Sequence, residues 1–187
     1  MKFLSNKALT EIDSIIVPRQ VKIEIDLPNL KEVKQSFRAN GASGVNFPKL
    51  DWANFLTFNS AKYFHAPALR GLFMLNVKSC EELNLPNLEA ASYSISADSA
   101  KTVNLPKLTN TQGLDCMNAE YVNIPVLTNI ETRKILELPH AKKIIAPKKT
   151  IEKFKLPPDC EIVYSDSPLS TFKNWMKSKT QNLFKSK

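Results

Sequence analysis

From Ile25 onward the chain repeats one short pattern: apolar, polar, apolar, proline, any residue, leucine. It reads Ile25-Asp26-Leu27-Pro28-Asn29-Leu30, then Val45-Asn46-Phe47-Pro48-Lys49-Leu50 and Phe64-His65-Ala66-Pro67-Ala68-Leu69. Three more copies follow, Leu83 to Leu88, Val103 to Leu108 and Val122 to Leu127. A degenerate seventh, Ile144-Ile145-Ala146-Pro147, comes after a coil lengthened to 22 residues. The prolines from Pro28 to Pro125 are spaced 20, 19, 19, 20 and 19 residues apart. A fixed period of this length is the mark of a repeat architecture in which each unit covers the apolar face of the next.

Aligning the copies brings out further columns. Three residues before each copy, from the second onward, stands a small residue: Ala42, Ala61, Cys80, Ala100, Ala119, Ala141. Three residues after the recurring leucine come Val33, Ala53, Leu72, Ala91, Thr111 and Ile130. Beyond them, apolar pairs alternate with polar residues: Phe37 and Ala39, Leu56 and Phe58, Leu75 and Val77, Ile95 and Ala97, Leu114 and Cys116. Period two is the signature of a strand face.

A coil of 19–20 residues must travel round a core and return displaced by one strand spacing, about 4.8 Å. A strand, two corners and a three-turn helix do not fit in so few residues. The far side is therefore expected to be extended, or at most one tight helical turn. The small column suits a tight corner, and each proline, lacking an N–H, ends ladder pairing and starts the other corner. The predicted fold is a mainly β solenoid, a parallel-coil array of about six to seven coils with N- and C-terminal caps and a short C-terminal helix. Its expected divisions are an N-terminal cap over 1–24, the solenoid over 25–143, a last coil and cap over 144–166, and a tail helix over 167–187. Within the first cap, Phe3 to Ile12 reads as a short helix, and Ile15-Ile16-Val17-Pro18 with Val21, Ile23 and Ile25 as an atypical strand pair. Cys160-Glu161-Ile162-Val163-Tyr164 reads as a closing strand after a turn at Pro157-Pro158.

The string Cys80-Glu81-Glu82-Leu83-Asn84-Leu85-Pro86-Asn87-Leu88 carries the L-x-L core of leucine-rich repeats, with Cys or Ala three residues before it. With the added Pro-x-Leu, residues 25–147 resemble the BspA-like class of leucine-rich repeats, whose units run C-x-x-L-x-L-P-x-x-L. The coils are shorter than usual for that class, its Gly-x-x-Ala-Phe segment is missing, and its Asn/Cys position is Leu here. The resemblance implies a non-enzymatic binding module of the kind found on bacterial and protist surfaces, or a secreted interaction protein.

Composition sharpens the picture. Of 187 residues, 43% are hydrophobic, enough for a core, and the formal charge is +8. No apolar run approaches the roughly 20 residues of a membrane span. Ser5-Asn6-Lys7 follows Phe3-Leu4 too soon for a signal-peptide core. Three cysteines 36 and 44 residues apart form neither a CxxC site nor an even disulfide set, which points to a reducing compartment. The expected location is cytoplasmic, or exported without a classical signal peptide. Residues 1–130 hold 13 basic against 12 acidic residues, whereas residues 131–187 hold 13 against 6. The basicity thus belongs to the C-terminal end. The repeat surface is not expected to bind nucleic acid, since a solenoid that did so would carry Lys or Arg along its coils. In the tail, Leu169, Phe172, Trp175 and Met176 fall on one helical face beside Lys173 and Lys177. That face fits a capping helix with solvated lysines, or an anionic membrane surface, an acidic partner or nucleic acid contacted by Lys173, Trp175 and Lys177.

Two repeat surfaces are candidates for binding a protein partner. Asp26, Asn46, His65, Asn84, Asn104 and Asn123 sit between the two inward residues of each short strand and should stack into a ladder. Such a column either bonds to itself and holds the sheet together or forms a polar binding stripe. Trp52, Phe55 and Met74 on adjacent coils form an apolar patch of the kind that marks a protein contact, or tuck inward. No reaction chemistry stands out. His65 and His140 lack ligands at metal spacing, the common nucleotide, hydrolase and zinc-protease motifs are missing, and Cys80 and Cys116 occupy inward columns. The expectation is a protein without enzymatic activity, cofactor or metal.

Overall fold

The computed structural model describes residues 2–131 and 136–166. Two parallel sheets face each other across a continuous core. The first contains β1 (Lys2–Ser5), β3 (Ile23–Asp26), β5 (Ala42–Asn46), β7 (Tyr63–His65), β9 (Glu82–Asn84), β11 (Thr102–Asn104), β13 (Tyr121–Asn123), β16 (Lys143–Ala146) and β18 (Glu161–Tyr164). The second contains β2 (Glu11–Val17), β4 (Glu32–Ala39), β6 (Trp52–Thr57), β8 (Gly71–Asn76), β10 (Ala90–Ser96), β12 (Asn110–Asp115) and β14 (Asn129–Ile130). The chain crosses from one sheet to the other at every corner, so each pair of strands is one coil. β15 (Leu136–Glu137) and β17 (Phe154–Lys155) form a small third sheet near a four-residue helix, α1 (Lys148–Ile151). This is a parallel β solenoid whose far side is extended, as the coil length requires.

Both corners are β-turns with a fixed composition. At the first, the leucine N–H donates back to the residue before proline: Leu30 to Leu27 (3.2 Å), Leu50 to Phe47 (3.1 Å), and likewise at Leu69, Leu88, Leu108 and Leu127. Proline therefore occupies the second turn position, where its locked φ is already correct. The residue just before it still pairs with the next coil, as Leu85 N–H does with the Asn104 carbonyl (3.0 Å). At the second corner the small residue closes the turn: Ala61 to Phe58, Cys80 to Val77, Ala100 to Ala97 and Ala119 to Cys116, all near 3 Å. All six members of that column are buried, as are all six recurring leucines.

The difference between 19- and 20-residue coils has one source. The 20-residue coils place two residues between the column of Val33 and Ala91 and the next ladder position, Lys34-Gln35 in β4 and Ser92-Tyr93 in β10. Their neighbours place one there, Asn54, Phe73 and Gln112. The extra residue is thus a bulge in the second sheet, and the corners are left unchanged.

The core changes character along the axis. Phe37, Phe47, Phe58 and Phe64 cluster with ring centroids 5.2–6.3 Å apart, while later coils are filled mainly by Leu, Ile, Val and Ala. Thr111, the polar member of an inward column, is buried and satisfies its hydroxyl by donating to the Gly113 carbonyl (3.0 Å).

The N-terminal region departs from expectation. Phe3 to Ile12 is not a helix: β1 pairs in parallel with β3, and β2 begins at Glu11. The exposed edge of β3 offers backbone partners that only an extended segment can satisfy in register. The Ile15–Ile25 segment does not form a pair either, because β2 and β3 belong to opposite sheets. The closing strand is found as expected, with β18 beside β16 after a turn in which Cys160 N–H donates to the Pro157 carbonyl (3.2 Å). The tail helix proposed over 167–187 lies outside the described residues.

Leu88→Ala and Leu108→Ala should each cost about 2–5 kcal/mol in urea unfolding, as buried large-to-small changes. Pro86→Ala should cost about 1 kcal/mol or less, since the turn survives loss of the ring. Deletion of Ser92 should leave a cooperative transition, because coils on both sides span the same columns with one residue fewer. Deletion of Ala100, which shifts a corner, should abolish it.

Candidate functional site

The two outward faces differ in chemistry. On the first sheet the column from Asp26 to Asn123 is a hydrogen-bonded ladder in two segments. The Asn46 amide donates to Asp26 Oδ1 (2.8 Å), the Asn104 amide to Asn84 Oδ1 (2.8 Å) and the Asn123 amide to Asn104 Oδ1 (2.7 Å). His65 separates the segments, where β7 and β9 pair at a single position, Tyr63 with Glu82. At the C-terminal end of the column the register partner of Asn123 is the buried Ile145, and the Asn123 Oδ1 is buried without a hydrogen-bond partner. Beside the ladder the Tyr63 ring lies across Gly44, whose missing Cβ makes room for it. Partial burial, with Glu24 and Asp26 nearby, pushes its phenol above the ordinary range. Most amides of this column are therefore engaged with each other.

The second sheet presents an aromatic surface. Trp52, Phe55, Phe73 and Tyr93 are 42%, 38%, 36% and 48% exposed, and Met74, in register with Phe55, is half-buried. Phe55 and Phe73 lie 5.0 Å apart with tilted rings; Phe73 and Tyr93 lie 5.7 Å apart and stack within 7° of parallel. The Trp52 ring lies over Gly71, its register partner on the next coil, where any side chain would displace it. Tyr93 is one of the two bulge residues of β10, so the extra residue of that coil sets its ring against Phe73.

Charge is excluded from this surface. β6, β8 and β10 contain no Asp, Glu, Lys or Arg, and between the rings lie amides and hydroxyls such as Asn54, Ser92 and Ser94. Charged residues begin at the margins. Glu32, Lys34 and Arg38 stand on β4 and Asp115 on β12. At one corner Arg70 grips Asp51 through two bonds (2.5 and 2.7 Å), which holds the Asp51 carboxyl below its usual range. Desolvation and the neighbouring Asp98 push Asp115 the other way.

The structure thus unites Trp52, Phe55 and Met74 on one face and adds Phe73 and Tyr93. The sequence carried a signal for these two: three windows without charge, at the same phase of successive coils. Reading the columns at constant spacing hid it, because the bulge moves Tyr93 by one place. Lys173, Trp175 and Lys177 lie outside the described residues.

Other features offer little chemistry. Burial raises the Cys80 thiol and pushes Cys116 up to about 12, so neither thiol ionises readily. No group of three or more His, Cys, Asp or Glu among the described residues could hold a metal, and no described helix is long and apolar enough to cross a membrane. A groove of about 370 Å³ at the C-terminal end is lined by Pro125, Val126, Pro147 and Thr150 and includes no aromatic residue.

Comparison with known proteins finds no matching family model, no matching curated protein and no matching solved structure.

Asn104 bonds on both sides, so Asn104→Ala breaks two ladder contacts. It should lower stability by about 1–3 kcal/mol in denaturant unfolding, with the aromatic surface unaltered by tryptophan fluorescence.

Proposed function

We propose that this chain is a non-enzymatic interaction module, a leucine-rich-repeat-like solenoid of the BspA-like kind, that holds a protein partner on the aromatic face of its second sheet. The observation that carries this reading is the coincidence of exposed rings and absent charge over three adjacent strands, in a protein whose residues are 24% charged overall. Protein interfaces are depleted of charge at their centre and enriched in aromatic residues and Met, with a polar rim. Trp52, Phe55, Phe73, Met74 and Tyr93 fill the centre, and Lys34, Arg38 and the Asp51–Arg70 pair supply the rim. A rigid sheet also presents its rings with little conformational entropy left to lose. The ladder of Asp26, Asn46, His65, Asn84, Asn104 and Asn123 has a structural role in this reading, since its polar groups are largely used within the sheet.

The basic end supports a second reading. Residues 167–187 contain five lysines and no acid, which favours an anionic membrane surface or an acidic partner engaged through Lys173, Trp175 and Lys177. Co-sedimentation with anionic liposomes that weakens as salt is raised, and is lost on removal of 167–187, distinguishes it.

The first reading is tested with Phe73→Ser/Tyr93→Ser. The double variant should keep a cooperative transition and lose about 1–3 kcal/mol, because both rings lie at the surface but pack on each other and on Phe55. Its affinity for a partner identified by co-purification should fall by about 2 kcal/mol or more, roughly 30-fold, as truncation of central aromatics does. Equal binding by the variant and the wild type would rule out the aromatic face.

A further inference from the structure

One outward position of the first sheet is covered where the repeat leaves it open. In six copies the residue between the two inward residues of the short strand, from Asp26 to Asn123, is exposed or half-buried. The seventh copy places Ile145 there, in register with Asn123 on one side and Val163 on the other. Ile145 is 2% exposed, yet it stands apart from the continuous core that holds every other buried apolar side chain of the described chain. Its surroundings are covered too. The Asn123 Oδ1 is buried without a hydrogen-bond partner among the described residues. Lys143, in the outward column beside Tyr121, has a side chain 13% exposed, against 50–73% for the other ion-paired lysines described. The last strand shows the opposite pattern. Ile162 and Tyr164, in register with the core residues Ile144 and Ala146, are 38% and 42% exposed. The cover therefore lies on the outward face of this end, and the end of the coil itself stays open.

We propose that the C-terminal segment of the same chain is this cover, with the apolar face of Leu169, Phe172, Trp175 and Met176 docked on Asn123, Ile145 and Val163. Ile145 is buried within a single chain, so no partner is needed to account for it. The chain also ends in the right place. β18 delivers it to the proline corner of the first sheet, where the Ser165 hydroxyl donates to the Pro125 carbonyl and the Asp166 carboxylate accepts the Lys148 N–H (3.2 Å). Ile145 stands two residues from Pro147 at that corner. After Tyr164 the sequence holds no further copy of the repeat, so nothing carries the coil onward, and Ser167-Pro168 is suited to turn the chain back. Seven residue steps from Leu169 to Met176 span about 10 Å as a helix. Two strand spacings of about 4.8 Å, the width across β13, β16 and β18, match that length. Trp175 brings an indole N–H, a donor of the kind that the buried Asn123 Oδ1 lacks. Lys173 and Lys177 stay toward solvent. An apolar face seated on Ile145 is not free to enter a bilayer, so this docking competes with the membrane reading of the tail.

Trp175 reports on the docking once Trp52, the other of the two tryptophans, is replaced by Phe. In the full chain carrying Trp52→Phe, the Trp175 emission should be blue-shifted and shielded from acrylamide, without lipid and at every protein concentration. Adding Ile145→Lys or Val163→Lys should move the emission to that of a tryptophan in water and remove the shielding. Both variants should keep a cooperative urea transition, because these side chains lie in the outward column. Ile162→Lys, at the open end of the coil, should leave the shielding in place. Four results would each overturn the proposal: a Trp175 as accessible as in urea; shielding that appears only with anionic vesicles or only at raised concentration; shielding that survives both Ile145→Lys and Val163→Lys; or shielding lost with Ile162→Lys alone. Should Ile145→Lys fail to fold, Val163→Lys decides.

Discussion

A coil that must return to its starting point one strand spacing further on has little freedom in its corners. Each residue lies beside its counterpart in the next coil, so any change in corner length would throw every later column off the core. In this chain the constraint is met by two β-turns per coil, one opened by proline and closed by leucine, the other closed by Ala or Cys. The proline presets φ, the leucine seals the core behind the turn, and the small residue keeps the second corner tight. Length variation is absorbed in the second sheet, where a bulge costs an unpaired residue at the surface and leaves the inward columns in phase.

The same constraint places like beside like. Stacked amides bond in the Asn84–Asn104–Asn123 segment, and stacked rings meet in the Phe55–Phe73–Tyr93 series. Where a large ring needs more room than one strand spacing gives, glycine supplies it on the adjacent coil, as Gly44 does for Tyr63 and Gly71 for Trp52. The four glycines are few because the β-turns do not need them. No glycine or other described residue has positive φ, and at least these two serve side-chain accommodation. Outward chemistry is therefore written along the axis, and a face acquires a character only when several coils agree.

Much of the fold was legible because it rests on columns. The inward positions, the proline corners, the extended far side and the closing strand after Cys160 all follow from period and polarity. The first 24 residues were less legible. Phe3 to Ile12 shows no alternation of apolar and polar residues, and what makes β1 a strand is the edge of β3, a tertiary demand with no local trace. The candidate site was half legible. Trp52, Phe55 and Met74 were found as outward apolar residues, but Phe73 and Tyr93 were not, because Tyr93 meets Phe73 only through a bulge whose position a constant spacing cannot reveal. The ladder was visible as a column; its break at His65 was not.

The placement of the aromatic face follows from the one-dimensional character of the fold. In a stack of coils each unit is stabilised by its neighbours, so interior coils open less readily than terminal ones. The aromatic face lies on β6, β8 and β10, each flanked by strands on both sides, where neighbouring coils hold the rings in place. The N-terminal coil has a neighbour on one side only, and its core residues are incompletely covered. Opening there reaches inward, since each coil's stability depends on the next, and the strand bearing Trp52 stands only two strands from that end in its sheet.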